Sequence, residues 1–286
     1  MSTEQHREQA STYFVLERSN LEEMHRLEIQ DKMMTTSMGG VLKGVSDPAS
    51  LTRVLDVGCG TGGWLMETAK TNPTIEKLIG VDICDKIISY ARVQAEAQQL
   101  DDRVGFRTMD SLRILDFPSG SFDLVNLRAG GSWLRTWDWK KILIEYQRIA
   151  RSDGIVRITE PRVEIESNSP ALAKLWDILL KAFHNSGRLF APNGDGIIDQ
   201  LVPLMTQHRF QNIQTRIDAP TYRAGTEAGQ HLYQDMLHLF HNLLPFFQKW
   251  THVPNDYEET YQQALKEMQQ PDFVATWPLF TVWGTK

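Results

Sequence analysis

Residues 53–64, RVLDVGCGTGGW, predict a buried strand that runs directly into a glycine-rich turn. Val54, Leu55 and Val57 form the apolar, partly β-branched run that is typical of such a strand. Glycines follow at once, at Gly58, Gly60, Gly62 and Gly63. Because glycine has no Cβ, the backbone can bend tightly here and pass close to a ligand. Residues 64–70 predict a helix, so we expect a small polar ligand at this junction of strand, turn and helix.

Two carboxylates make the prediction of a ligand site more specific. Asp56 lies inside the end of the first strand, and Asp82 ends the next apolar run, at residues 78–81. A carboxylate after the second strand is placed to accept hydrogen bonds from a ribose diol. The spacing of Gly58, Gly60 and Gly63 also fits the dinucleotide fingerprint, and glycine turns occur in folds without any ligand, so the spacing alone leaves those alternatives open.

The run LDVGCGTG at 55–62, with the Asp82 strand end after it, resembles motifs I and II of class I S-adenosylmethionine-dependent methyltransferases of the small-molecule type. The resemblance covers roughly residues 54–159. It implies an α/β, Rossmann-like fold with a seven-stranded, mostly parallel sheet whose last strand is antiparallel. It also implies S-adenosyl-L-methionine as the cofactor and S-adenosyl-L-homocysteine as the product.

The same resemblance implies which residues contact the cofactor. From the core of the fold they are Asp56, Gly58, Cys59, Gly60, Asp82, Ile83, Met109, Asp110, Ser111, Asn126 and Arg128. Asp110 would lie beside the adenine amino group, although an acid at a strand end can equally cap a helix. From the N-terminal segment, Tyr13, Arg26 and Gln30 would reach the methionine end, with a solvated helix face as the alternative for each.

Strand and helix alternate along the rest of the chain, which predicts a βαβ series. Further strands are predicted at 77–82, 104–108, 122–127, 155–159, 211–222 and 273–284, with a turn at 151–154. Helices are predicted at 12–34, 85–100, 137–150, 170–185, 197–207, 230–244 and 257–268. We therefore expect an N-terminal helical cap at 1–45 and a methyltransferase domain at 46–286 with helical lid insertions at about 161–210 and 224–270.

The helix at 230–244 is apolar around most of its circumference, so it must be buried or line a cavity. We expect its apolar side chains and those that follow to form one wall of a substrate pocket, with plain core as the alternative. That wall would comprise Leu232, Tyr233, Met236, Leu237, Phe240, Leu243, Phe246 and Phe247, with Trp133, Trp176 and Phe183 opposite. Such a pocket suits an apolar or aromatic small molecule.

Four residues are candidates for catalysis. Glu160 ends the fifth predicted strand on the ligand side of the sheet, with a solvated loop acid as the alternative. His184, His238 and His241 are the candidate bases, although an exposed or satisfied histidine is the alternative for each. None of the histidines has a metal-binding spacing, so no metal site is predicted.

Composition limits the partners. The net charge is −6 and there is no long run of Lys or Arg, which argues against binding to nucleic acid. Residues 126–129, NLRA, also lack the Asn/Asp-Pro-Pro-aromatic pattern of enzymes that methylate exocyclic base amines. No apolar stretch is long enough for a membrane span, the polar start MSTEQHREQ is unlike a signal peptide, and Cys59 and Cys84 imply no disulfide framework. We expect a cytoplasmic protein with a small-molecule substrate and no membrane partner, and a homodimer stays open.

The predicted function is transfer of the methyl group of S-adenosylmethionine to an O, N or C nucleophile of an apolar or aromatic small molecule in specialised metabolism. One alternative is a protein of the same fold that binds the cofactor but catalyses a non-methylating reaction or acts as a regulatory partner. A more remote alternative is an NAD-dependent oxidoreductase, which only the glycine spacing supports.

Overall fold

The computed structural model describes residues 12–15 and 20–286. Its helices are α1 (Leu21–Ser37), α2 (Gly63–Thr71), α3 (Asp85–Ala97), α4 (Asp138–Ile149), α5 (Pro170–Asn185), α6 (Ile198–Gln207), α7 (Glu227–Asn242), α8 (Leu244–Trp250) and α9 (Tyr257–Glu267). Its strands are β1 (Arg53–Val57), β2 (Lys77–Asp82), β3 (Val104–Thr108), β4 (Phe122–Arg128), β5 (Ala150–Pro161), β6 (Glu166–Ser167), β7 (Gln211–Asp218), β8 (Thr221–Arg223), β9 (Val274–Thr276) and β10 (Leu279–Thr285). No helix in the described part of the chain is long and apolar enough to span a bilayer.

Seven strands form the central sheet, in the order β3-β2-β1-β4-β5-β10-β7. The pairs from β3 to β5 are parallel, whereas β10 is antiparallel to both of its neighbours. The predicted fold class is therefore confirmed. The strand order reverses at β1, which lies between β2 and β4, and open α/β sheets bind ligands at the carboxyl ends of strands at such a point.

Two strands predicted as continuous are each divided by a proline. The predicted strand at 211–222 breaks before Pro220 into β7 and β8, and the one at 273–284 breaks before Pro278 into β9 and β10. Proline has no N–H to donate to a ladder, so the chain leaves the central sheet at these positions. The short strands β6, β9 and β8 form a separate three-stranded sheet.

The N-terminal helix and the fifth strand also differ from their predicted bounds. Helix α1 begins after Asn20, whose side-chain oxygen accepts a 2.6 Å hydrogen bond from the Glu23 N–H and so caps the helix. Residues 12–15 are not helical, and residues 16–19 of the predicted helix lie outside the described residues. The predicted turn at 151–154 is instead an irregularity within β5, where the register with β4 shifts and Asp153 has a φ of 60°.

The predicted pocket wall at residues 232–247 is wrong for all eight of its members, which lie in the core or pack against it, as the alternative predicted. Leu232, Met236, Phe240, Leu243 and the two phenylalanines of α8 belong to the main hydrophobic core. Helix α7 packs against α1, α8 and α9, and this surrounding contact buries side chains on most sides of the helix. Burial therefore explains its nearly continuous apolar surface.

Asp123 in β4 fastens the start of β1 to the sheet. One of its carboxylate oxygens accepts hydrogen bonds from Thr52 N–H and Arg53 N–H, both at 2.7 Å, and from the Thr52 hydroxyl at 2.8 Å. The other oxygen pairs with Arg151 in β5. Burial on its own would raise the pKa of Asp123, but the hydrogen bonds from Arg53 and Thr52 outweigh burial and hold the pKa below its usual value.

We expect Asp123→Ala to lower the free energy of unfolding by about 1 to 3 kcal/mol, because it removes the shared acceptor of three hydrogen bonds from Thr52 and Arg53 and the partner of Arg151. Urea denaturation measures this loss, with exposed Asp101→Ala as the control. Since the folded pKa of Asp123 is lowered, its contribution is present above the unfolded pKa and disappears as the pH falls through the folded pKa. Equal unfolding midpoints for the two variants at pH 7 would contradict this role.

Candidate functional site

A cavity of about 240 Å³ opens along the carboxyl ends of β1, β2, β4 and β5. The predicted site residues that line it are Tyr13, Gln30, Asp56, Gly58, Cys59, Gly60, Asp82, Ile83, Asp110, Ser111, Arg128 and Glu160. Because the strands are parallel, their ends meet at one edge of the sheet and bring residues distant in sequence into one space. The structure thus brings together most of the residues that the sequence predicts for the site.

The glycine-rich loop turns where β1 meets the cavity. Gly58, Gly60 and Gly62 have φ values of 68°, 53° and 81°, which favour glycine. The N–H groups of Gly58 and Cys59 both donate to the Val81 carbonyl, at 2.8 and 3.0 Å, so the loop is fixed against the end of β2. A Cβ on Gly60 would meet no atom within 4 Å, whereas one on Gly62 would lie 2.4 Å from the Phe106 ring. The loop therefore leaves open space beside Gly60 for a ligand.

Two carboxylates flank this space from the neighbouring strand ends. Asp82 accepts hydrogen bonds from Cys84 N–H at 2.9 Å and from Gly60 N–H at 3.3 Å, so it is held against the glycine loop. Asp110 accepts from Leu112 N–H at 3.0 Å and pairs with exposed Arg113 at 3.2 Å. Asp110 therefore shapes a turn rather than capping a helix, since no helix lies between β3 and β4, and it also lines the cavity.

Asp56 is held by a row of polar side chains across three strands. Asp56, Asn126 and Arg157 are register partners in β1, β4 and β5. The Asn126 amide donates to Asp56 at 2.8 Å and accepts from Arg157 at 3.1 Å, and Arg157 also donates to the Val41 carbonyl at 3.0 Å. Burial raises the pKa of Asp56 to about 6, although Arg128 and Asn126 favour its charged form. Burial also lowers the pKa of Arg157, to about 9.

Arg128 is anchored to the N-terminal helix. Its guanidinium pairs with Asp31 and donates to the Thr35 hydroxyl at 3.2 Å. A Cβ on Gly63 would lie 2.2 Å from an Asp31 carboxylate oxygen, so this glycine lets α1 approach the loop closely. These contacts bring α1 over the glycine loop and fix one edge of the cavity.

Glu160 is buried in the wall of the cavity at the end of β5, with 1% of its surface exposed. Its two carboxylate oxygens accept from Gly130 N–H at 2.5 Å and from Gly131 N–H at 3.0 Å. A Cβ on either glycine would lie 3.1 Å from a Glu160 oxygen, so the glycines permit this close seat. Burial raises the pKa of Glu160 to about 8, although the two N–H groups favour the carboxylate.

The free energy of unfolding should depend on pH through the protonation of Glu160. Its folded pKa of about 8 lies above the usual value near ~4.3 of an unfolded chain, so its contribution falls as the pH rises between those values. We expect the melting temperature of the wild type to fall more steeply from pH 5 to pH 8 than that of Glu160→Gln. Each unit of pKa shift corresponds to about 1.4 kcal/mol.

Calorimetric melting at several pH values measures this difference. The matched control is Glu96→Gln, which changes an exposed glutamate and should melt in parallel with the wild type at each pH. Parallel profiles for the wild type and Glu160→Gln would show that Glu160 is ionised in the folded protein throughout this range.

The other half of the cavity is mainly apolar. Trp133, Trp176 and Phe183 line it, as the sequence predicts, but helix α7 contributes Leu239 rather than the predicted residues. Phe14 extends this surface and packs on Phe183 with ring centroids 5.7 Å apart. Aromatic and aliphatic walls with a few polar groups are typical of small-molecule sites.

A buried ionic network supports the N-terminal side of the cavity. Arg26 donates to Glu23 at 2.8 Å and to Asp235 of α7 at 2.8 Å, and all three side chains are inaccessible to solvent. The Tyr13 hydroxyl donates to Glu23 at 2.7 Å and accepts from Arg26 at 3.0 Å. Burial raises the pKa of Asp235, whereas at Glu23 the Arg26 charge outweighs burial and lowers the pKa. The network joins the Tyr13 ring of the cavity to α1 and α7.

Six predicted site residues do not line the cavity, and their predicted contacts require correction. They are Arg26, Met109, Asn126, His184, His238 and His241. The guanidinium of Arg26 is fully paired with buried carboxylates, and the side-chain amide of Asn126 donates a hydrogen bond to Asp56. His184 and His241 are exposed and His238 is half-buried on the outer parts of α5 and α7, so the structure gives none of them access to the cavity.

Several lining residues were missed by the sequence analysis. Asp31, Ile197, Leu239 and Trp277 come from four separate elements or loops. Asp31 occurs in a run of polar residues that resembles a solvated helix face, and Trp277 lies within a predicted strand. The glycine at position 63 signals a close approach, but only the fold identifies Asp31 as the residue that approaches it.

Comparison with known proteins agrees with this architecture. The family described as a methyltransferase domain matches residues 54–154. The chain is 30% identical over 145 residues to the demethylmenaquinone methyltransferase of Lactiplantibacillus plantarum, covering 50% of this chain and 58% of the relative. It is 37% identical over 126 residues to the aklanonic acid methyltransferase DauC of Streptomyces sp., covering 44% of this chain and 56% of the relative. The chain thus spans little more than half the length of these relatives.

A solved structure extends the similarity of fold beyond the matched region. The phosphoethanolamine N-methyltransferase 2 of Haemonchus contortus, in complex with phosphomonomethylethanolamine and S-adenosylhomocysteine, aligns with a TM-score of 0.58 at 17% identity. The alignment covers 96% of this chain and 59% of the other. At this identity the comparison concerns the fold alone. Residues 54–154 therefore match a methyltransferase domain family, and the chain has the class I methyltransferase fold.

Proposed function

We propose that this protein is an S-adenosylmethionine-dependent methyltransferase whose acceptor is an apolar or aromatic small molecule. The observation that carries the proposal is the continuity of one cavity, which joins the glycine loop and Asp82 to the aromatic surface at Trp133 and Trp176. A methyl donor and an apolar acceptor would meet within it. Two relatives are named for methyl transfer to demethylmenaquinone and to aklanonic acid. Those names support a role in small-molecule and specialised metabolism.

The residues of the cavity fit the proposed cofactor. The open space beside Gly60 is a cradle that a side chain would fill, and Asp82 and Asp110 offer acceptors for a ribose diol and an adenine amino group. The lining contains the five acids Asp31, Asp56, Asp82, Asp110 and Glu160 but only two basic residues, Arg128 and Arg162. Glu160, with a pKa of about 8, is mostly protonated at pH 7, but the four aspartates still outnumber the two arginines, and this excess of negative charge favours a cationic ligand. When bound, S-adenosylmethionine supplies a methyl group on a positively charged sulfur.

The contribution of the chain to the reaction would be positioning and exclusion of water. Phe14 and Tyr13 approach the cavity from the N-terminal side, and Trp176 and Phe183 from α5. Holding two reactants in line can supply an effective molarity of about 10⁵ M or more. In this proposal residues 1–45 form the cap, and the helical insertions at about 161–210 and 224–270 form the lid.

The proposal extends to partners and location. The net charge of −6 supports a small-molecule substrate rather than nucleic acid. Cys59 and Cys84 are both free and buried, which supports a location in the cytoplasm, where thiols stay reduced. The runner-up function is a protein that binds the same cofactor without transferring its methyl group.

Calorimetric titration with S-adenosylmethionine, S-adenosylhomocysteine and NAD in parallel tests the proposal. We expect micromolar affinity for the first two and no binding of NAD. Gly60→Val should abolish binding, since valine strains a φ of 53° and fills the open space, whereas Gly105→Ala, on β3 with room for a Cβ, should bind normally. Binding of NAD alone would overturn the proposal, and tight cofactor binding without methyl transfer to any acceptor would favour the runner-up.

A further inference from the structure

Glu160 is a buried acid that the proposed cofactor contacts do not use. Asp82 and Asp110 follow β2 and β3, on one side of β1 in the sheet, whereas Glu160 ends β5 on the other side. Apolar lining lies next to it, since a Cβ on Gly131 would be 3.1 Å from a Glu160 oxygen and 2.4 Å from the side chain of Ile197, which also lines the cavity. Glu160 therefore faces the space left for the acceptor rather than the space left for the cofactor.

In the described part of the chain, the surroundings of Glu160 contain no compensating cation. Among residues 12–15 and 20–286, no lysine, arginine or histidine forms a salt bridge with it. The basic residues that line the cavity are engaged elsewhere, since Arg128 pairs with Asp31 and Arg162 pairs with Asp195 at 3.1 Å. Its partners are the two N–H groups of Gly130 and Gly131. Such a site leaves the carboxylate free to accept a proton from a bound molecule.

This arrangement restricts the chemistry of the acceptor. An acceptor with a carboxylate or phosphate would place an unpaired anion beside the Glu160 carboxylate. Burying such an anion in surroundings of low polarity costs free energy. A neutral molecule with a hydroxyl group would donate a hydrogen bond to Glu160 and place its ring against the apolar lining of the same cavity. A hydroxyl oxygen is a weak nucleophile until its proton is removed, so this acceptor gains most from a buried base.

We propose that Glu160 is the general base for a neutral aromatic acceptor whose phenolic or enolic hydroxyl oxygen receives the methyl group. This inference rests on the proposed methyltransferase function. The hydroxyl proton passes to the Glu160 carboxylate as the oxygen forms its bond to the methyl carbon. The bond between that carbon and the sulfonium sulfur breaks, and its electron pair remains on the sulfur. Glu160, now neutral, returns its proton to water when the methyl ether leaves.

The first test measures binding and needs no turnover. Calorimetry of the wild type saturated with S-adenosylhomocysteine compares 2-naphthol, 2-methoxynaphthalene and 2-naphthylamine at pH 8. We expect 2-naphthol to bind at least about tenfold more tightly than either analogue, because it alone donates a strong hydrogen bond to a buried carboxylate. Glu160→Ala should erase that preference. Trp176→Leu should weaken the binding of 2-naphthol and of 2-methoxynaphthalene by the same factor, so that the ratio of their dissociation constants is unchanged.

A second variant separates chemistry from folding. Glu160→Gln keeps the size of the side chain but cannot take the proton, so single-turnover methylation of 2-naphthol should fall by about 100-fold or more. Methylation of 4-nitrophenol, which is already ionised at pH 8, should stay the same or rise, because it needs no base and glutamine removes the carboxylate that repels its oxyanion. Equal losses for both phenols, or tighter binding of 2-naphthylamine than of 2-naphthol, would overturn the inference. Failure of the wild type to bind S-adenosylhomocysteine would instead overturn the proposed function itself.

Discussion

Asp82→Ala should weaken the binding of S-adenosylmethionine by about 100-fold or more. The carboxylate is placed to accept two hydrogen bonds from a ribose diol, and hydrogen bonds to charged groups are worth about 1.5 to 3 kcal/mol each. Asp82 also accepts from the N–H groups of Gly60 and Cys84, so its loss loosens the glycine loop as well. Isothermal titration calorimetry measures the affinity directly.

The controls for this result come from the same loop and the same position. Asp85→Ala removes an exposed carboxylate three positions further along, outside the cavity lining, and should leave the affinity within about twofold of the wild type. Asp82→Asn keeps one acceptor oxygen and should fall between the wild type and Asp82→Ala. Wild-type affinity in folded Asp82→Ala would remove Asp82 from the cofactor site.

Asp235→Ala should cost about 3 to 5 kcal/mol of unfolding free energy. Asp235 and Arg26 are both inaccessible to solvent, and removing one partner of a buried ion pair leaves the other charge buried and uncompensated. Glu23 stays beside Arg26, so a value at the lower end of that range is the more consistent outcome. Urea denaturation followed by circular dichroism measures the loss.

The chain offers a closely matched control for this pair. Lys32 and Glu227 form a 3.1 Å ion pair between the same helices, α1 and α7, but both side chains are mostly exposed. Glu227→Ala should therefore cost less than about 1 kcal/mol. If the two alanine variants have the same unfolding free energy, the buried network contributes no more than a surface pair, and Tyr13 must be held by other contacts.

The amino-acid sequence by itself determined the site around the glycine loop. The site is encoded by the apolar run before Gly58, by the glycines and by Asp82. These features depend only on their neighbours in the sequence and on the rule that parallel strands end at one edge of a sheet. That information is local, so it could be deduced without coordinates. The sheet with one antiparallel strand was implied by the resemblance to the methyltransferase motifs, and the structure differs from it where Pro220 and Pro278 turn the chain into a second sheet.

Only the tertiary structure decided what the remaining charged residues do. Arg26 is a basic residue on the N-terminal helix, where the sequence predicts a cofactor contact. Its partner Asp235 lies 209 positions away in the sequence and compensates the charge of Arg26 inside the protein. Asn126 faces Asp56 and Arg157 because three strands align in register, and Glu160 is seated by Gly130 and Gly131 from a separate loop. Burial and pairing between distant segments set these charges and pKa values, and no pattern within one segment of the sequence encodes such pairings.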